Sequence, residues 1–395
     1  MIQRLAGAHI LALSKKFPVV SLTGPRQSGK TTLVKALFPR HAYVNLETPD
    51  ERLTAEEDPL RFLHSHSQAG LIIDEAQRVP ALFSYLQGMV DASGKMGRYV
   101  LTGSQNFLLL ENISQSLAGR VAVCHLLPFA LSELKRAGRA AKSLDEVLFK
   151  GGYPAPVDRK IKPPDYFSSY IQTYIERDVR SIKNIGDLSA FQRFLKCCAG
   201  RVGQLLNLSS IGNDIGINYK TVRSWMSVLE ASFVVFLLQP FHRNFNKRVV
   251  KQPKLYFYDT GLLCALLDIR SSGQVAGHYL RGSIFESFVI SEYLKERFNA
   301  GRRPNAYFWR DNTGHEVDMV LEDGNVLHAV EIKSGTTVTE DFFKGLDFFA
   351  RISKRSATNH FLVHGGDRTQ DRKHGRVIAW RNLDGLPGGQ GRSGK

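Results

Sequence analysis

The sequence predicts an α/β protein in three parts: a parallel sheet between helices, a mostly helical middle, and a final α+β region. Three observations carry this. In the first third, short β-rich runs alternate with helix-length stretches, the pattern of a sheet covered on both faces. From about Tyr166 to Leu267 the apolar spacing is helical. From about His278 a helix is followed by further β-rich runs.

The elements follow in chain order. The opening stretch has an apolar run broken by His9 and ended by Lys15 and Lys16, without an A-x-A cleavage site. It reads as a basic amphipathic helix, not a signal peptide. Strands are expected over Pro18–Thr23, Ala42–Leu46, Gly70–Asp74, Arg98–Gly103 and Val121–Leu127, with helices such as Lys30–Phe38 and Ala81–Ala92 between them. A basic stretch and proline-rich segments between Leu134 and Tyr166 interrupt the pattern. The expected organisation is a first domain over 1–135, a linker over 136–165, a helical domain over 166–270, an α+β domain over 275–385, and a glycine-rich tail over 386–395.

Composition narrows the classes. With 395 residues, 43% hydrophobic and 23% charged, the chain can bury sizeable cores, which excludes wholesale disorder. Lys and Arg number 53 against 37 Asp and Glu, leaving +16, and this surplus points to a polyanionic partner, nucleic acid before a membrane surface. Four cysteines without a CxxC pair fit a reducing cytoplasm. The most apolar internal run, from Ala231, is far shorter than the roughly 20 residues that span a bilayer, so no membrane association is expected.

The residues Gly24, Pro25, Arg26, Gln27, Ser28, Gly29, Lys30 and Thr31 fit G-x-x-x-x-G-K-[ST] in full, with an apolar strand before them and a helical pattern leaving them, and Thr32 joins them as a nucleotide-binding candidate. The glycines let consecutive backbone N–H groups curl around phosphate oxygens, and the helix turns its positive end to the anion. Lys30 is expected to reach the β- and γ-phosphates, and the Thr31 hydroxyl to ligate Mg²⁺. Leu71–Glu75 reads as a buried strand ending in two carboxylates: Asp74 for the metal shell, Glu75 to polarise the attacking water. That Asp-Glu pair favours ATP hydrolysis by an additional-strand ATPase, and the chain has no N-K-x-D guanine-reading motif. Tyr99–Gln105 is a further strand ending in small polar residues, where Ser104 or Gln105 is the candidate γ-phosphate sensor. Arg120 is the candidate transition-state arginine across a subunit interface, which calls for a homo-oligomer; a solvated surface arginine is the competing reading.

On these segments, with Leu101–Ser104, Ser116–Arg120, Leu127–Phe129, Gly151–Pro154 and Tyr174–Val179, the chain resembles the prokaryotic AAA-type P-loop ATPases fused to a C-terminal region of uncharacterised function. The resemblance runs through nearly the whole chain. It implies ATP binding with hydrolysis, and an AAA-like or signalling-ATPase fold.

Between Arg193 and Lys254 there are ten Lys or Arg and two Asp or Glu, a local +8. Within it, Ser209–Gly216 reads as a short helix and Lys220–Leu229 as a longer one after a tight turn. Val222, Trp225, Met226 and Leu229 share one face and are expected in the core. The other face begins with Asn218, Tyr219, Lys220, Thr221 and Arg223, residues suited to bases and phosphates. Two following apolar runs are expected to pair as a hairpin whose loop carries Arg243, Lys247 and Arg248 as a basic wing. The reading is a DNA-binding winged helix; the competing one is a packing module with solvated charge.

In the last part, Glu286 lies in an amphipathic helix, and two strand patterns joined by a Glu-Asp-Gly-Asn turn bring Asp318 beside Glu331 and Lys333. Two carboxylates gripping Mg²⁺ with a lysine beside them make a workable phosphodiester hydrolysis site. The constellation resembles the PD-(D/E)xK nuclease superfamily, within a restriction-endonuclease-like fold, although Val317 stands where proline is frequent there. Active nuclease and inactive scaffold both remain open. The function expected is an ATPase coupling hydrolysis to DNA binding or remodelling. The alternatives are a nucleotide-switched signalling or defence module whose C-terminal half binds protein, and an ATP-regulated nuclease.

Overall fold

The computed structural model describes residues 2–66, 69–103, 109, 113, 115–159, 161–175, 187–241, 250–353 and 359–388. The chain folds into two compact units. The first holds the chain as far as Phe129 together with residues 231–233 and 298–302; the second holds the remainder.

In the first unit, α1 (Ala6–Ser14) precedes β1 (Val19–Thr23), α2 (Lys30–Leu37), β2 (Ala42–Asn45), α3 (Pro49–Glu57), α4 (Pro59–His66), β3 (Leu71–Asp74), α5 (Ala81–Ser93), β4 (Tyr99–Gly103) and β5 (Val121–His125). The five strands form one parallel sheet in the order β2-β3-β4-β1-β5, so β4 is inserted between β1 and β3. Every residue of β1, β3 and β4 is buried, as expected of strands covered on both faces. Their period of two sorts the core. Val19, Leu71, Ile73, Tyr99 and Leu101 pack on one side with Phe62, Phe83 and Leu86. Val20, Leu22, Ile72 and Val100 pack on the other with Ile10, Leu33 and Val34. Helix α1 contains no Lys or Arg, and buries Ala6 and Ile10 in this second cluster. Its other face, with Ala8, Leu11 and Ala12, is exposed, and the basic pair Lys15 and Lys16 only follows it.

The second unit begins with α6 (Leu131–Arg136), α7 (Leu144–Lys150), α8 (Pro154–Asp158) and α9 (Pro163–Tyr170). The glycine pair before α8 has a structural cause. Gly151 has φ +64°, and a Cβ there would lie 2.2 Å from Asp259 Oδ1. Gly152 N–H donates to Asp259 Oδ2 at 2.7 Å, while Asp259 also accepts from Leu262 N–H and caps the helix it precedes. Next come α10 (Leu188–Gly200), α11 (Leu208–Ile215) and α12 (Tyr219–Ala231), each opened by a capping side chain: Asp187, Asn207 and Asn218. Val222, Trp225, Met226 and Leu229 are buried, and Trp225 stacks edge-on against Phe191. Strands β6 (Val235–Leu238) and β7 (Lys254–Phe257) pair antiparallel. The loop bearing Arg243, Lys247 and Arg248 lies outside the described residues, as do residues 176–179 and the end of the tail.

After α13 (Thr260–Leu266), α14 (Ser272–Gly277) and α15 (Arg281–Asn299), the chain forms β8 (Ala306–Arg310), β9 (Glu316–Asp323), β10 (Val326–Lys333), α16 (Lys344–Ser353), β11 (His360–His364), β12 (Gln370–Arg372) and β13 (Gly375–Ala379). These six strands make a mixed sheet in the order β12-β13-β11-β10-β9-β8. The hairpin expected at the Glu-Asp-Gly-Asn turn is present, with β9 antiparallel to β10 and Met319 opposite Val330. Trp309, Val320, Leu346, Phe349 and Leu362 form the core between this sheet and α16.

Candidate nucleotide site and a C-terminal acid cluster

The nucleotide-type site is assembled where β1 ends. Gly24 has φ +151°, and a Cβ there would sit 2.1 Å from the Leu126 carbonyl, so a side chain is sterically excluded. Pro25 accepts from Ser28 N–H at 3.3 Å, closing the bend, and Gln27 has φ +58°. Gly29, at φ +93°, precedes the first residue of α2. Lys30 is buried and donates from Nζ to the carbonyls of Gly24 at 2.9 Å and Pro25 at 2.8 Å. Arg26 is buried and lies 3.9 Å from Glu47, and Thr32 is exposed on the first turn of α2. The Ser28 hydroxyl is buried within this loop with no hydrogen-bond partner among the described residues.

Thr31, Asp74 and Glu75 converge on the same end of the sheet. Asp74 closes β3, is 6% exposed, and accepts from Thr31 Oγ1 at 2.7 Å and from Tyr43 Oη at 2.9 Å. Its other oxygen accepts from Thr102 Oγ1. Burial first, and the Asp74 charge second, push the Tyr43 phenol well above its ordinary range, which keeps it a donor. Glu75 has φ +55°, and its Oε2 accepts from Gln77 Nε2 at 2.6 Å. A hydroxyl and a carboxylate side by side at the positive end of a helix, with an ammonium beside them, are the donor set that suits a hard divalent cation and a phosphate chain. The residues fit Mg²⁺ and a nucleoside triphosphate.

Tyr43, Thr102, Gln77 and Arg4 were not singled out from sequence. Arg4 donates to the Ser28 carbonyl at 2.8 Å and to the Leu127 carbonyl at 2.6 Å, tying the loop to the strand beside it. For Thr102 the only signal was its place one residue before the end of a strand pattern; that the strand lies next to Asp74 comes from the sheet order. Tyr43 and Arg4 carry none, because each reaches the site only through sheet order and chain path.

Ser104 and Gln105 lie outside the described residues. Arg120 is not brought to the site. It immediately precedes β5, at the starting edge of a parallel sheet whose finishing edge carries the loop, and β1 alone separates those edges by about 13–16 Å. There Arg120 pairs with Asp91 through two hydrogen bonds, at 2.6 and 2.8 Å.

On α12, Asn218 spends its side chain on the helix: Oδ1 accepts from Thr221 N–H at 2.9 Å and Thr221 Oγ1 at 3.1 Å. Tyr219, Lys220 and Arg223 are exposed along the adjoining face.

The four residues singled out in the last part do converge. Lys333 Nζ pairs with Glu331 Oε1 and lies 3.4 Å from Asp318 Oδ2, and Asp318 also accepts from Ile332 N–H at 2.8 Å. Glu331 Oε2 is buried with no hydrogen-bond partner among the described residues. Glu286, on α15, faces this group but is bound to residues from β7: Lys254 Nζ at 3.2 Å and the Tyr256 hydroxyl. Lys254 also pairs with Glu316, and Glu316 with Arg310 at 3.2 Å. Burial is the main cause pushing the carboxyls of Glu286 and Glu331 above their ordinary range, and the Asp318 charge adds to both. Among the described residues, no three His, Cys, Asp or Glu side chains are gathered so as to hold a metal ion.

Comparison with known proteins agrees with the first unit. A family model described as "AAA domain" matches residues 16–135, and two described as domains of unknown function, DUF8612 and DUF4143, match residues 141–273 and 281–383. The chain is 31% identical over 342 residues to uncharacterized protein Rv2008c of Mycobacterium tuberculosis, covering 85% of this chain and 74% of that one; Mb2031c of Mycobacterium bovis matches equally. Among solved structures, the Walker-type ATPase PABY2304 of Pyrococcus abyssi gives a TM-score of 0.46 at 14% identity, covering 67% of this chain and 96% of that one. The RuvB Holliday junction branch migration motor of Thermotoga maritima gives 0.31 at 17%, covering 58% and 86%. At these scores the structural likenesses add nothing to the assignment.

The parallel sheet with its inserted strand, and a glycine-flanked loop entering α2 beside Asp74, define an AAA-type P-loop NTPase fold. The chain belongs to the family of AAA-domain proteins that contains Rv2008c and Mb2031c. No helix of the described residues is long and apolar enough to cross a membrane.

Proposed function

We propose that this protein is a Mg²⁺-dependent ATPase that uses hydrolysis to act on DNA held by its second unit. The observation that carries the ATPase reading is Thr31 Oγ1 lying 2.7 Å from Asp74 Oδ2 at the head of α2. Backbone N–H groups of residues 26–31 cradle the phosphates, and Lys30 exchanges its carbonyl partners Gly24 and Pro25 for phosphate oxygens. Mg²⁺, held by Thr31 and Asp74, would neutralise phosphate charge. Glu75, oriented by Gln77, accepts the proton of the attacking water. Because Arg120 sits at the far edge of its own sheet, its role is in trans, within a homo-oligomer, where it trades Asp91 for a neighbour's γ-phosphate.

The DNA reading is supported by the basic surplus of residues 193–253, nine Lys or Arg against two Asp or Glu once buried Lys254 is set aside, and by the exposed Tyr219, Lys220 and Arg223 on one side of α12, the helix that a winged-helix reading would present to DNA. The reducing cytoplasm suits the four unpaired cysteines. The test is ATP turnover measured with single-stranded, duplex and branched DNA. Turnover that rises with DNA and vanishes in Lys30→Ala supports the reading. A rate indifferent to every DNA would move the second unit to a protein partner.

A further inference from the structure

The nuclease-like cluster of the second unit has its cation already, and that cation is part of the chain. Lys254 is 3% exposed, so its ammonium is out of water and must be matched by charge. Its partners are Glu286, at 3.2 Å, and Glu316, one from α15 and one from the start of β9. Its Nζ also lies 5.5 Å from the centre of the Phe308 ring. Tyr256, two residues along the same face of β7, adds a hydroxyl donor to the Glu286 oxygen that Lys254 already holds.

The lysine is fixed in place from both sides of its strand. Leu238 of β6 is its register partner, and Leu205 bridges to it on the other edge. Leu206 N–H donates to the Pro253 carbonyl at 2.8 Å, and Gly203 N–H to the Leu255 carbonyl at 2.8 Å. Beside it, Lys333 covers Asp318 and Glu331. Each carboxylate that a nuclease of this kind would offer a metal therefore already faces an ammonium. A divalent ion bound to Glu286 and Asp318 would have to lie against the buried, immobile charge of Lys254.

We propose that Lys254 is the resident cation of this cluster, and that the cluster takes no divalent metal while Lys254 is in place. The residues do not fit the metal that the nuclease resemblance implies. The second unit is then a folded platform stabilised by an internal ion-pair network, not a phosphodiesterase.

The experiment is a Mn²⁺ titration of the nucleotide-free full chain, followed by the electron paramagnetic resonance of the free ion. Glu286→Gln is run in parallel, so that weak binding near Thr31 and Asp74 is subtracted. The expected result is the same Mn²⁺ binding in wild type and Glu286→Gln, and an added bound ion in Lys254→Gln that is lost in Lys254→Gln/Glu286→Gln. Binding by wild type that Glu286→Gln removes overturns the proposal. So does a folded Lys254→Gln, checked by circular dichroism, that gains no ion. If Lys254→Gln does not fold, the wild-type comparison decides alone.

Discussion

Thr31 Oγ1 donates to Asp74 Oδ2 across 2.7 Å, although 43 residues separate the two in the chain. The bond exists because α2 starts at the end of β1 and Asp74 ends β3, with β4 between the two strands supplying Thr102 to the same carboxylate. Recruitment of two hydroxyls and the Tyr43 phenol fixes the rotamer of Asp74 before any cation arrives, which is what a preorganised metal ligand requires.

Glu75→Gln is expected to bind ATP and not turn it over. Loss of a general base lowers turnover by about 10²–10⁴-fold, while the phosphate-binding loop is untouched. Calorimetry with ATP and a phosphate-release assay on the same preparation check both halves. A variant that hydrolyses at the wild-type rate would remove Glu75 from the mechanism.

Gln77→Leu tests orientation of that base. The hydrogen bond from Nε2 to Glu75 is to a charged group, worth about 1.5–3 kcal/mol, so turnover is expected to fall by roughly tenfold or more with KM for ATP little changed. A change confined to KM would place Gln77 in binding instead.

Lys220→Ala/Arg223→Ala addresses the DNA reading. If both side chains neutralise phosphates, the slope of log affinity against log salt shrinks by about 0.9 for each phosphate no longer neutralised, similarly for all sequences. Fluorescence anisotropy with one duplex over a series of salt concentrations measures it. An unchanged slope excludes this face of α12.

Acid sensitivity of the first unit is expected to run partly through His125. Burial lowers its pKa from 6.5 to about 4, with Thr23 Oγ1 2.7 Å from Nδ1 and the rings of Phe233 and Phe298 against it. Between those values the unfolded chain takes up a proton that the folded chain refuses, so stability falls as pH drops from about 6.5 to about 4. The loss is at most about 3 kcal/mol. His9, His328 and His360 are also lowered by burial, so the measurement is the difference in urea stability between wild type and His125→Gln across that range. Parallel pH profiles would rule His125 out.

The alternation of strands and helices, the phosphate-type loop and the β9–β10 hairpin were legible in the sequence, because each depends on neighbours within a few residues. Glycine spacing sets the loop, a period of two sets the buried strands, and Gly324 at φ +57° lets the hairpin turn. Only the tertiary structure decided that Tyr43 and Thr102 share Asp74, that Arg120 stands at the opposite edge from the loop, and that Asn218 caps a helix. It alone placed Lys254, 32 residues before Glu286, inside the acid cluster. A lone lysine in a β-rich run has no local mark of burial; its partners come from a different helix and a different sheet, and charge pairing at that range is settled by packing.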